Sequence, residues 1–108
     1  MKIEKKLGKL IITKRSKIIL LNLEEIYYIE RTGTFSVINT YSSEIPLYMT
    51  LKELQTVLSD NFVRVHRSFI VNRSLLRELN ILNENTYEAV FTEDKTALVN
   101  RKLLNLIC

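Results

Sequence analysis

The sequence predicts a mostly antiparallel β domain with small helices, and three observations carry that prediction. Short runs rich in Ile, Val, Leu and Tyr recur along nearly the whole chain, separated by polar bends. Helical spacing is confined to two short stretches, one after Thr50 and one after Asn100. Only two glycines and one proline occur in 108 residues, which leaves little material for linkers between separate units. A chain of this length makes one domain and can bury one modest core.

The elements follow in order. Leu10–Ile12 and Ile18–Leu21 are β-favouring runs separated by the polar bend Lys14–Lys17. Ile26–Ile29 is a third run, after Glu24 and Glu25, and Thr32–Thr34 reads as a turn around Gly33. Phe35–Tyr41 is a fourth run, closed by Ser42 and Ser43. In the next run Ile45, Leu47 and Met49 alternate with Glu44, Pro46 and Tyr48, the period of a half-buried strand. Pro46 has no amide hydrogen to donate to a ladder, so this strand is expected at a sheet edge. Thr50 and Glu53 have the spacing of a capping box, with Leu51, Leu54 and Leu58 on one helical face. Phe62–Val65 and Phe69–Val71 return to strand on either side of His66-Arg67-Ser68. Leu75, Leu79 and Ile81 keep one parity, Tyr87, Ala89 and Phe91 another, with a hairpin turn expected at Asn83–Asn85. Glu93–Lys95 turns into Thr96–Val99, and Asn100 caps a short helix with Leu103, Leu104 and Ile107 on one face.

The net charge of +4 suits a polyanionic partner, but its distribution matters more than its size. Residues 1–17 carry seven Lys/Arg against Glu4 alone, and much of that excess reads as a solvated basic extension over residues 1–6. Residues 18–108 are net acidic, with nine Lys/Arg against eleven Asp/Glu. Within them, Arg64, Arg67, Arg73 and Arg77 form the one long basic stretch free of acids. Cys108 is the only cysteine, so no intrachain disulfide or cysteine metal cluster can form. No apolar run reaches the ~18–20 residues of a membrane helix, and no signal-peptide core follows the first lysines. A cytoplasmic soluble domain without membrane contact is expected.

Enzyme readings find little support. A single histidine and no His/Cys spacing argue against zinc or another metal. Gly8 and Gly33 stand alone, so no phosphate loop exists for a nucleotide cofactor. Asp60, His66 and Ser68 form a triad only on paper, without a nucleophile elbow. No catalytic residue, cofactor or metal is expected. Nucleic acid fits better: arginine can donate two hydrogen bonds to a guanine edge, and Ser, Thr and Asn suit phosphate. On spacing alone, Arg67 and the Asn100-Arg101-Lys102 cluster also read as ordinary solvated loops, and His66 as a structural histidine. Arg101 and Lys102 would open a helix, where its dipole disfavours cations, so local stability does not account for them. Two further readings stay open: a β-type interaction module recruiting a partner at the edge strand around Pro46, and a single-stranded nucleic-acid binder using Tyr27, Tyr28 and Phe35. The ordinary reading of these aromatics is packing.

Four segments taken together resemble the LytTR family of DNA-binding domains, in order and spacing: Ile26–Gly33 (IYYIERTG), Leu51–Leu54 (LKEL), Phe62–Asn72 (FVRVHRSFIVN) and Leu98–Leu104 (LVNRKLL). The central segment is the most specific, and the resemblance covers nearly all of residues 7–107. It implies an elongated arrangement of small antiparallel β-sheets with two or three short helices, making residues 7–108 the DNA-binding domain. It also implies sequence-specific binding of double-stranded DNA, through loops inserted into successive major grooves, to regulate transcription in bacteria. The partner would be paired direct repeats, with a monomer in isolation and two copies on DNA, and a receiver domain in a longer parent chain. Carried over by position, the first loop supplies Thr34 and Ser36; Phe35 and Ser36 replace longer polar side chains common there. The second supplies Arg67 to a base and Ser68 to phosphate. The third supplies Asn100, Arg101 to a base and Lys102 to phosphate. Arg64, His66 and Asn72 hold the second loop.

Overall fold

The computed structural model describes residues 1–108 as three antiparallel sheets stacked along a body of 45 × 25 × 24 Å. The first sheet is a meander of β1 (Lys2–Lys6), β2 (Lys9–Thr13) and β3 (Ile18–Asn22). The central sheet contains β4 (Ile26–Thr32), β5 (Phe35–Thr40), β6 (Glu44–Leu47), β7 (Phe62–His66) and β8 (Phe69–Asn72), in the order β6-β5-β4-β8-β7. The third is β9 (Glu78–Ile81), β10 (Thr86–Thr92) and β11 (Lys95–Asn100), with β10 in the middle. A single short α-helix, α1 (Leu51–Gln55), links β6 to β7.

The central sheet is buried on both faces because alternate residues serve two cores. On one side Ile29, Ile38, Leu47, Phe62 and Ile70 pack with Leu51 and Leu54 of α1 and with Leu10 and Ile12 of the first sheet. On the other, Tyr28, Val65, Phe69 and Val71 pack with Ala89, Phe91, Ala97 and Val99 of the third sheet. In β8 the alternation is plain: Phe69 and Val71 face the second core, Ile70 the first. Small Ala89 and Ala97 share this core with the large Tyr28, Phe69 and Phe91.

Local chemistry sets several boundaries. The Thr50 hydroxyl accepts from the Glu53 amide while the Glu53 carboxylate accepts from the Thr50 amide, the reciprocal cap that the spacing predicts. The α-helix ends at Gln55, so Leu58 reaches the same core from the turn beyond it. Pro46 lies in β6, at the sheet edge, where its missing donor leaves no gap. Gly33 takes a positive φ of 63° at the first of two loop positions between β4 and β5, a conformation costly for other residues.

Three expectations change. Residues 2–6 form β1, paired residue for residue with β2 through the tight turn Leu7-Gly8, where φ is 53° and 76°. Positive φ at both turn positions matches the twist of a two-residue hairpin, so the basic extension is an exposed strand rather than a tail. The segment after Asn100 is a 3-10 helix over Arg101–Leu106, not an α-helix. Leu75 does not share a strand with Leu79: it lies in a 3-10 turn, Arg73–Leu75, before β9, and Ile81 is 78% exposed.

Candidate nucleic-acid interface

The β7–β8 hairpin brings His66, Arg67 and Ser68 to one end of the central sheet, and the β4–β5 turn Gly33-Thr34 lies beside it. The antiparallel register accounts for this: Glu30 pairs with Phe69 while Thr32 pairs with Phe35, so both turns leave the sheet at the same end. The amide of Arg31 donates to the Ser68 carbonyl at 2.8 Å and couples the two turns directly.

The second turn is braced from within. Arg64 is half-buried and donates from Nε to the His66 carbonyl at 3.2 Å and from Nη2 to the Arg67 carbonyl at 2.6 Å. His66 Nδ1 accepts from the Ser68 amide at 3.0 Å, which places its ring proton on Nε2. Its ring packs edge-on against Phe69. Burial, then the adjacent Arg67 and Arg64, hold the His66 pKa below the ordinary histidine value. A neutral imidazole is what the accepting role needs. Arg67 itself is exposed and has no carboxylate partner.

At the far end of β8, Asn72 is buried. Its Nδ2 donates to the Ile26 carbonyl at 3.0 Å and its Oδ1 accepts from the Ser74 amide at 3.1 Å. It ties β8 to the start of β4 and caps the following 3-10 turn, acting on the hairpin only through the strand.

The third segment follows β11. Asn100 Oδ1 accepts from the Lys102 amide at 3.1 Å and caps the 3-10 helix. The Arg101 amide donates to the Asn85 carbonyl at 2.9 Å, and its Nη1 donates to the Glu84 carbonyl at 3.2 Å. The β9–β10 loop therefore positions Arg101, a contact invisible in the sequence. Arg101 and Lys102 are exposed, as is Thr34.

Ser36 is different. It is 1% exposed, and its hydroxyl donates to the Met49 carbonyl at 2.5 Å. The residue holds the first loop against the chain entering α1 and has no free hydroxyl to present; its parity with buried Ile38 already placed it inward. The aromatics proposed for base stacking are engaged too. Tyr28 is 5% exposed, between Phe69 and Phe91, and burial with Glu30 and Glu44 nearby pushes its pKa up to about 12. Tyr27 stacks on Phe91, and Phe35 on the exposed Tyr48 at 4.3 Å. Arg31 and Lys52, not singled out in the sequence, stand beside the first loop.

Exposed cations on braced turns of a small β domain suit a polyanionic partner. The chain is a member of the LytTR family: the model of the LytTr DNA-binding domain matches residues 16–107. It is 28% identical over 100 residues to the transcriptional regulatory protein NatR of Bacillus subtilis, which covers 91% of this chain and 43% of that protein. It is 30% identical over 94 residues to the sensory transduction protein LytT of Bacillus cereus, covering 86% of this chain and 38% of that protein. The chain thus spans about two fifths of the length of the curated relatives it matches. A LytTr DNA-binding domain from Bacillus cereus shares the fold, with a TM-score of 0.75 over 93% of each chain at 18% identity. No cluster of His, Cys, Asp and Glu could hold a metal ion, and no helix is long and apolar enough to cross a membrane.

Proposed function

We propose that the domain binds duplex DNA at specific sequences by inserting its loops into successive major grooves, and that it serves as the output module of a bacterial transcription regulator. One observation carries this reading above the rest: Arg67 projects, without an acidic partner, from a turn whose carbonyls are fixed by Arg64 and whose amide is fixed by His66. A braced turn presents the arginine from a set backbone position, so docking has less of the loop to order, and the free guanidinium can make a bidentate base contact. In this reading Arg67 and Arg101 read bases, Ser68, Lys102 and Thr34 meet backbone or groove edge, and Asn100 orients the third loop. Ser36, Arg64, His66 and Asn72 support from inside. The first two turns leave one end of the central sheet and the third segment follows β11 of the third sheet, so the domain offers its cations from two separate places.

Paired direct repeats, occupied by two copies of a domain monomeric in isolation, and a receiver domain elsewhere in a longer parent chain complete the proposal. The transcriptional and sensory-transduction names of the longer relatives favour the regulator part of it. Selection of random duplexes on the purified domain tests it: a recurring repeated motif is expected, with affinity falling steeply as salt rises. Equal affinity for single strands, or no duplex affinity at low salt, contradicts it.

A further inference from the structure

Between the first loop and α1 lies a cleft of about 460 Å³, lined in part by Thr34 of that loop. Arg31, Lys52, Arg64 and Thr34 line it, and half-buried Phe35 and Met49 make much of its wall apolar. Three cations thus face one concavity, and no carboxylate lines it. Two acids adjoin these cations in sequence, and neither lines the cleft: Glu53 is engaged by the amide and hydroxyl of Thr50 within the helix cap, and Glu30, next to Arg31, is half-buried in β4. The domain's single ion pair, Lys95–Glu44, involves none of these residues.

Each cation keeps free donors. Lys52 is exposed and its amine has no carboxylate partner. Arg31 is exposed, and only its Nε is drawn inward, weakly, to the Gly33 carbonyl at 3.4 Å. Arg64 uses Nε and Nη2 to brace the second turn, leaving Nη1. Like charges left together without a counterion raise the local potential and cost stability, a cost an anion removes. The position identifies the anion. Arg31 is the residue whose amide joins the two turns, so whatever fills the cleft sits beside both loops.

We propose that this cleft seats one phosphodiester of the DNA backbone, with Arg31 and Lys52 as its ligands. The inference rests on the duplex-DNA reading above and adds a clamp that fixes register without reading sequence. The cleft has room for the phosphate and part of its sugar, while Thr34 offers its hydroxyl to the ester oxygens.

The test uses the whole domain and a selected operator in which single phosphates are replaced, one at a time, by neutral methylphosphonate. For the wild type, neutralising one phosphate beside the first two loop footprints weakens binding. In R31Q/K52Q that position becomes silent, and the slope of log affinity against log salt is shallower by about 0.9, the loss of one neutralised phosphate. Base preference stays unchanged. If the double variant keeps the slope and the sensitivity, the clamp is wrong and the duplex reading stands. If it changes base preference at constant slope, the residues read sequence and the clamp is again wrong. If the wild type has no duplex affinity, both readings fall. Should R31Q/K52Q melt early, K52Q alone decides, because the Lys52 amine has no carboxylate partner within the chain.

Discussion

Arg67 and Lys95 are both cations at hairpin turns against the central sheet, yet their surroundings differ in kind. Lys95 opens β11 and lies largely buried, donating to Asn39 at 3.2 Å and pairing with Glu44 at 3.4 Å. Its charge is answered within the domain by Glu44, while burial and that same Glu44 raise the pKa of Glu30 above its ordinary value. Arg67 is exposed and has no acid beside it; its backbone, not its side chain, is what the fold secures. The lesson is that charge counts do not locate a functional surface in this chain. A cation whose partner lies within the domain serves stability, and one held in place without a partner is available to something else.

Substitutions can sharpen this contrast, the largest effect first. Arg64→Ala removes both donors from the carbonyls of the second turn. Charge-assisted bonds contribute about 1.5–3 kcal/mol each; here one is part-buried and the other exposed, so a total stability loss near the lower figure is expected, with weaker DNA binding because the turn that carries Arg67 is no longer braced. Arg64→Lys should not restore either property, since an ammonium cannot span two carbonyls as the planar guanidinium does. Arg101→Ala should lose about 1–3 kcal/mol of affinity for the specific site and relax preference at one base position. Lys102→Ala should weaken all duplexes alike and lower the salt slope by about one. Lys95→Met should cost about 1 kcal/mol or less of stability, because its partner Glu44 is 68% exposed, and leave DNA affinity unchanged.

The smallest effect is a pH dependence from His66. Its folded pKa lies below the unfolded one, so above pH ~6.5 both states are neutral there and the residue adds no pH dependence. As pH falls through that value the unfolded chain takes up the proton first, and stability declines until the folded pKa is passed. Denaturant titrations from pH 7 downward should show this decline in the wild type and a smaller one in His66→Gln. A decline that is the same in both would remove the neutral-imidazole role.

The parts of this fold legible in the sequence are those written in local chemistry. The Thr50–Glu53 cap, the edge position of Pro46 and the turn at Gly33 each follow from residues within a few positions of one another. The resemblance located the second turn because Arg64, His66 and Arg67 also interact within one hairpin. What escaped notice depends on partners distant in the chain. The segment Lys2–Lys6 has a single strong β-former, Ile3, and becomes strand only by pairing with β2. Arg31, Lys52 and Arg64 are scattered in the sequence and meet only once β4, α1 and β7 have packed. The Glu84 carbonyl that holds Arg101 lies 17 positions away. Ser36 was readable, since its parity with Ile38 pointed it inward, but resemblance by position gave it a surface role.

The most direct measurement is the affinity of Arg67→Ala for the selected operator at fixed salt, set beside its thermal midpoint. A loss of about 1–3 kcal/mol in binding with an unchanged midpoint is predicted for a side chain that is proposed to meet DNA and that has no partner within the fold. Wild-type affinity in this variant, or a lowered midpoint that accounts for the lost binding, would contradict the assignment of Arg67 as the unpaired cation that reads DNA.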